Sequence, residues 1–179
     1  MRCKFGRAEP LTLLTNKYNT YKERHMEKRR INVRALVVRG DTILAVKHKN
    51  DDGSESDYWA LPGGGLDPLE TLQEGVEREV FEELGVIAKA TNKVAFIQQF
   101  MSGREGFDEE LEFHMLVEDS PLFNTIDFEN TSHGAAELSR VAFVNPKQVP
   151  IKPDFLAEVD IAAYATGHRS PYVFYELVK

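Results

Sequence analysis

Cysteine is nearly absent: Cys3 stands alone in 179 residues. No disulfide can therefore close within the chain, and a reducing compartment, the cytosol by default, is the expected setting. No apolar run approaches the roughly 18 residues of a membrane span, and the N-terminal stretch lacks the apolar core of a secretory signal. Basic charge is also short. Against 29 Asp and Glu there are 22 Lys and Arg, a net charge of −7, which argues against a nucleic-acid-binding surface. Nucleotide substrates stay open, because bound cations invert a local field. Repeats and low-complexity segments are missing too. What is present is ordinary globular material, 42% hydrophobic, enough for one core at this length.

The positive charge that exists is concentrated at the start. Residues 1–30 hold nine Lys and Arg against three Asp and Glu, without periodicity. They read as a basic extension, disordered or loosely docked, ahead of a domain over residues 31–179. Met26 is an alternative translation start, so removing residues 1–25 is expected to leave activity and stability in place.

Within the domain, residues 31–49 read as a hairpin turning at Arg39-Gly40-Asp41, followed by a polar loop over residues 50–57. Strands are expected over residues 93–101 and 111–117. In the second, Leu111, Phe113, Met115 and Val117 share one face, while Glu112 and His114 share the other. Asp108, Glu109 and Glu110 read as a solvated hairpin end. Residues 118–136 are long for a connection, and such loops are often lids or binding segments. Phe123, Phe128 and His133 there either stack on a base or tuck into the core. A helix capped by Asp154 is expected over residues 155 to about 165, ended by Gly167. Residues 171–178 read as an aromatic last strand that finishes the sheet or pairs with a second copy in a homodimer. Strands around two helices in mixed order give an α+β fold class.

The chemistry concentrates in residues 64–86. Thr71 and Glu74 form a capping box, which leaves Glu70 on the loop before the helix, and Gly85 fits the helix end. At about 100° per residue, Leu72, Val76, Val80 and Leu84 form an apolar stripe. Glu74 and Arg78 lie roughly opposite it as surface residues, with Glu77 at its edge. Glu83 falls inside the stripe and Glu79 on its margin, with Glu82 on the same side as Glu79. Carboxylates so placed must be paired or bound to a cation. Positions i, i+3 and i+4 share a face, so Glu79, Glu82 and Glu83 can converge on one hard ion, Mg²⁺ or Mn²⁺. A buried salt bridge is the competing reading.

This stretch resembles the Nudix box, G-x5-E-x7-R-E-U-x-E-E-x-G-U, where U is bulky and apolar. Gly64, Glu70, Arg78, Glu79, Val80, Glu82, Glu83, Gly85 and Val86 fill every defined position. The Trp59-Ala60-Leu61-Pro62-Gly63-Gly64 lead-in is similar to the family's as well. The resemblance implies an α/β/α sandwich with a mixed sheet between helices. It also implies hydrolysis of a pyrophosphate bond in a nucleoside diphosphate linked to another moiety, a small nucleotide-type substrate. It assigns Glu79, Glu82 and Glu83 as metal ligands, with the Gly64 carbonyl assisting and Glu70 holding a metal-bound water. Glu79 or Glu137 is the general base, and Arg78 orients a neighbouring glutamate. Phe100, His114, Phe123 and Phe128 are candidate substrate contacts. The alternative is a non-catalytic Nudix-fold module that senses a nucleotide. Two departures stand out: Leu69 where relatives often carry glycine, and Gly75 where alanine is common, at about 1 kcal/mol of helix propensity. The proline and tyrosine typical of ADP-ribose and dinucleoside polyphosphate subclasses after the box are both missing between Ile87 and Glu118, which weakens those two subclasses.

Overall fold

The computed structural model describes residues 28–166 and 171–176. Cys3, Met26, nearly all of the basic extension, Gly167 and the last expected strand positions, Leu177 and Val178, lie outside the described residues.

The first two strands explain where the glycine loop goes. β1 (Arg29–Arg39) and β2 (Thr42–His48) form the expected hairpin only at its tip, where Val38 faces Ile43 and Arg39 faces Thr42 across the turn at Gly40. Below the tip they part. β1 runs parallel to β5 (Glu109–Val117), while β2 pairs with β3 (Trp59–Ala60) and β6 (Leu138–Val144). The vacated edge of β1 is taken by residues 62–66. Ala35 N–H donates to the Pro62 carbonyl at 2.8 Å, Val33 N–H to Gly64 at 2.9 Å, and Leu66 N–H to Ile31 at 2.9 Å. The loop is thus held inside the sheet by backbone groups that would otherwise lack partners.

β4 (Ala90–Met101) runs antiparallel to β5, β8 (Tyr172–Glu176) parallel to β4, and β7 (Ile151–Lys152) parallel to β3. The result is one mixed sheet ordered β7-β3-β2-β1-β5-β4-β8, with β6 also on β2. β8 therefore finishes the sheet. Alternation along β1 and β5 sends Val33, Ala35, Val37, Met115 and Val117 to one face, against Val76, Val80 and Leu84 of α1 (Leu72–Leu84). The other face presents Leu36, Ile43, Ala45 and Phe96 to Phe155, Leu156, Ile161 and Tyr164. Each of these side chains other than the alanines contributes about 1.5–3 kcal/mol by burial. A sheet packed on both faces is the α+β, α/β/α arrangement expected.

α1 begins and ends as its sequence dictates. The Thr71 hydroxyl accepts from Glu74 N–H at 3.2 Å, the Glu74 carboxylate accepts from Thr71 N–H at 2.9 Å, and Gly85 closes the helix in the left-handed region. Gly75 is accounted for by space: a Cβ there would stand 2.6 Å from Leu66 Cδ1 and 3.1 Å from Glu70 Oε2.

The helix expected over residues 155–165 is interrupted. A 3-10 turn (Asp154–Ala157) is followed by a short helix, Ile161–Ala165, capped by Asp160, whose side chain accepts from Ala163 N–H at 3.2 Å. On one continuous helix Phe155, Leu156, Ile161 and Tyr164 would spread over more than half the wheel at about 100° per residue. The break lets all four reach one core. Residues 118–136 are likewise not a free lid. Phe123 is buried in the α1-side core and Phe128 packs against it. Thr131 Oγ1 donates to the Glu83 carbonyl at 3.1 Å and His133 N–H to the Glu82 carbonyl at 3.1 Å, fastening the segment to the end of α1.

Candidate active site

Two backbone approaches shape the site. Gly63 has φ 135° and lies so close to β1 that a Cβ would stand 2.2 Å from the Val33 carbonyl oxygen. Gly64 faces α1, where a Cβ would stand 2.7 Å from either carboxylate oxygen of Glu79. One turn on, Glu83 accepts from Gly63 N–H at 2.9 Å. Glu79 and Glu83, 8% and 2% exposed, are in this way drawn from the helix onto the glycine loop. They line a cleft of about 630 Å³ together with Gly64, Arg30, His133 and Glu137.

Arg78 corrects the wheel. Its Cα lies opposite the apolar stripe, yet its guanidinium folds back over the loop instead of meeting solvent. It pairs with Glu70 at 2.8 Å, Glu79 at 2.9 Å and Glu82 at 3.0 Å, and donates to the Gly65 carbonyl at 2.9 Å. A long stem and a planar fork allow one side chain to gather that many oxygens. Glu79 and Glu82 are consequently drawn towards Arg78. Among the described residues no three His, Cys, Asp or Glu side chains are placed to surround one ion. Arg78 holds Glu79 and Glu82, and Glu83 is turned to Gly63. Glu70 is tied to Arg78, and the hydrogen bond from that guanidinium keeps its carboxyl below the usual range.

The donors still suit a hard cation. They are all oxygens, and Gly64 meets Glu79 where only a residue without Cβ fits. Glu83 has a neutral N–H as its hydrogen-bond donor. Burial pushes the Glu83 carboxyl up to about 8 despite the pull of Arg34, and burial also raises that of Glu79 against the pull of Arg78. Glu137 sits at the end of the short helix α2 (Gly134–Glu137). It lines the cleft, and its negative charge adds to the cost of ionising Glu83.

Beside the cleft lies the face of β5 that carries Glu110, Glu112 and His114, of which Glu112 lines the adjoining space. Glu110, Glu112 and His114 are 4%, 5% and 0% exposed, with Phe155 packed on His114 and Asn32 and Ser102 on Glu110. Arg34 of β1 makes this tolerable: its Nε lies 3.1 Å from Glu112 Oε1, and its Nη1 donates to the Gly63 carbonyl. Glu110 accepts from Asn32 Nδ2 at 2.5 Å and Ser102 Oγ at 2.8 Å, so it is not a solvated hairpin end. His114 stands edge-on to Phe96 and Phe155, with ring centroids 6.1 and 5.6 Å away. Burial lowers its pKa to about 4, which keeps it neutral. It is neither a substrate contact nor a surface histidine.

A second compartment of about 340 Å³ continues from the first, sharing Arg34, His48, Tyr58 and Arg104 and adding Gln98, Phe100 and Glu112. Of the four aromatic and histidine substrate contacts expected, Phe100 alone is placed here, since Phe123 and Phe128 serve the core. Arg34, Gln98, Tyr58 and Arg104 were not among the expected site residues. Arg34 did carry a signal, an arginine set between Val33 and Ala35 in the otherwise apolar run from Val33 to Val38.

The NUDIX domain family matches residues 28–165, and the chain belongs to that family. Among curated relatives, nucleoside triphosphatase NudI of Enterobacter sp. is 38% identical over 58 residues, 32% of this chain and 41% of the relative. A MutT-like protein of Streptomyces ambofaciens is 43% identical over 56 residues, 31% of this chain and 34% of the relative. The match thus spans well under half of either relative. Solved structures share the fold at low identity. A UDP-X diphosphatase aligns with TM-score 0.62 at 18% identity, covering 93% of this chain and 76% of that one. The MutT protein from Methanosarcina mazei Go1 aligns with TM-score 0.58 at 18% identity, covering 82% and 99%.

Proposed function

We propose that this chain hydrolyses a pyrophosphate bond in a nucleoside diphosphate linked to another moiety, with Mg²⁺ or Mn²⁺ as cofactor. One observation carries the reading: two buried carboxylates from one helix face a glycine loop in a cleft that continues into an aromatic-lined compartment. The relative named a nucleoside triphosphatase supports the same substrate class.

Glu79, Glu82 and Glu83 would hold the cation through carboxylate oxygens, with the Gly64 carbonyl assisting; Glu82 would do so in place of its pairing with Arg78. Such an ion supplies neutralisation of the diphosphate and acidification of water. Arg78 is a positioning residue that fixes Glu70 and Glu79 relative to the Gly65 carbonyl. Water attacks phosphorus, its oxygen forming the new P–O bond as the bridging P–O bond breaks, and two phosphate-bearing products leave. The water's proton goes to a carboxylate. Glu137 fits that task better than Glu79: it lines the cleft without a side-chain partner among the described residues, whereas Glu79 is held by Arg78. The catalytic unit is the domain that starts with β1 at Arg29, whose Arg30 lines the cleft, and residues 1–25 are dispensable to it.

The test is a hydrolysis screen with Mg²⁺ or Mn²⁺ over nucleoside triphosphates, dinucleotides and nucleotide sugars, with both products identified. Metal-dependent release of two phosphate-bearing products is expected. Binding without turnover on every compound would replace this reading with the nucleotide sensor.

A further inference from the structure

Gln98 is a largely buried residue that lines a cavity and whose amide makes no side-chain hydrogen bond among the described residues. It lies mid-strand on β4, its backbone in register with Glu112 of β5 and Phe174 of β8. Period-two alternation puts its side chain on the face that carries Phe96 and Phe100. The residue is 4% exposed, and it makes no side-chain hydrogen bond among the described residues, whereas the adjacent Gln99 donates to Glu109 at 2.7 Å. A carboxamide brings two donors and an acceptor oxygen, and enclosing it among rings costs stability unless the adjoining space supplies partners. That space is the second compartment, which Gln98 lines with Tyr58 and Phe100. The buried carboxylates nearby are already committed, Glu112 to Arg34 and Glu110 to Asn32 and Ser102.

We propose that this compartment takes a nucleobase and that the Gln98 carboxamide reads its hydrogen-bonding edge. The proposal rests on the hydrolase reading in one respect, that the diphosphate lies at the glutamate end of the same cleft. A planar amide presents a donor and an acceptor side by side, as a base edge does. Tyr58 and Phe100 offer aromatic faces for a ring. Arg34 and Arg104, shared by both compartments, lie along the way from ring to phosphates. A sugar is the competing occupant, since Asp154 and Glu176 also line this compartment and carboxylates suit hydroxyl groups. Because the amide can rotate to swap its donor and acceptor, Gln98 permits more than one base. A carboxylate in its place would accept only.

Calorimetric binding of the four nucleoside monophosphates, ribose 5-phosphate and inorganic phosphate, without metal, separates these cases for the full chain and its Gln98→Met variant. At least one nucleoside monophosphate is expected to bind the unaltered chain more tightly than ribose 5-phosphate does. That preference should fall roughly ten- to hundred-fold in Gln98→Met, the loss of one or two neutral hydrogen bonds, while ribose 5-phosphate binding stays the same. The variant should melt at or above the temperature of the unaltered chain, since the amide has no hydrogen bond within the described residues to lose and a thioether fills the same space. Gln98→Glu should change which base binds best. The proposal is overturned by equal nucleotide affinity in the unaltered chain and Gln98→Met, by no preference over ribose 5-phosphate, by an unchanged base ranking in Gln98→Glu, or by a lower melting temperature in Gln98→Met. As none of these readouts uses turnover, base reading and hydrolysis stand or fall separately.

Discussion

Two buried glutamates share the field of one arginine and are displaced in opposite directions. Glu112, on β5, is driven up by burial, but Arg34 beside it, together with His114 and Asn32, more than reverses this, and its pKa ends below the usual carboxylate value. Glu83, on α1, is pushed up by burial to about 8, although Arg34 acts on it as well. The guanidinium decides the difference. Its Nε engages Glu112 at 3.1 Å and its Nη1 is given to the Gly63 carbonyl, leaving Glu83 with the Gly63 N–H. Burial of a carboxylate therefore does not mark a reactive site by itself. What marks it is charge left without a counterion where a cleft reaches it, and in this fold that description fits Glu83 and not Glu112.

The contrast can be broken by neutralising each in turn. Glu83→Gln should lower kcat/KM by about a thousand-fold or more, the scale of losing an electrostatic group acting at the reaction centre, with no loss of melting temperature. Near-normal turnover would remove Glu83 from the site. Glu112→Gln should do the reverse in stability, costing about 3 kcal/mol in urea unfolding because Arg34 is left buried without its counterion. A depressed pKa contributes stability that is present above the unfolded value near 4.5 and is lost as pH falls through the folded value. The gap in stability between the unaltered chain and Glu112→Gln should therefore narrow below about pH 4.5; a gap independent of pH would argue against the pair. Glu137→Gln should reduce kcat about a hundred-fold with KM and stability little changed, as loss of a general base does. If kcat held and KM rose, Glu137 would be a binding residue. The smallest effect belongs to Leu69, which has φ 68° and a wholly exposed side chain. Leu69→Gly should stabilise by about 0.5–1 kcal/mol, since glycine takes that conformation without steric cost. A lower melting temperature would mean the side chain has a role.

The helix that carries the candidate ligands was legible because its signals are local. Thr71 and Glu74, the stripe from Leu72 to Leu84 and Gly85 all lie within a few turns of one another, and Glu83 was found inside the stripe as its spacing requires. What escaped depends on contacts between distant parts of the chain. The polar face of β5 looks solvated until β1 is laid parallel to it, which sets Asn32 beside Glu110 across 78 residues and Arg34 beside Glu112. Arg78 escaped the helix wheel, though not the resemblance, which gave it the task of orienting a neighbouring glutamate. The wheel fixes where a Cα points, and a side chain this long carries its charge back across the loop. Glu77, expected at the edge of the stripe, accepts from the Ala90 N–H at 2.8 Å. Phe123 and Phe128 left open two uses of an aromatic ring, and the uncovered flank of α1 took both.

Mn²⁺ binding followed by electron paramagnetic resonance tests the central claim most directly, because it reads the ion without the reaction. The unaltered chain and Glu112→Gln should bind Mn²⁺ alike, and Glu83→Gln should bind it roughly ten-fold more weakly or worse, at least the loss that altered metal-site residues produce. Equal binding in all three proteins would contradict the account.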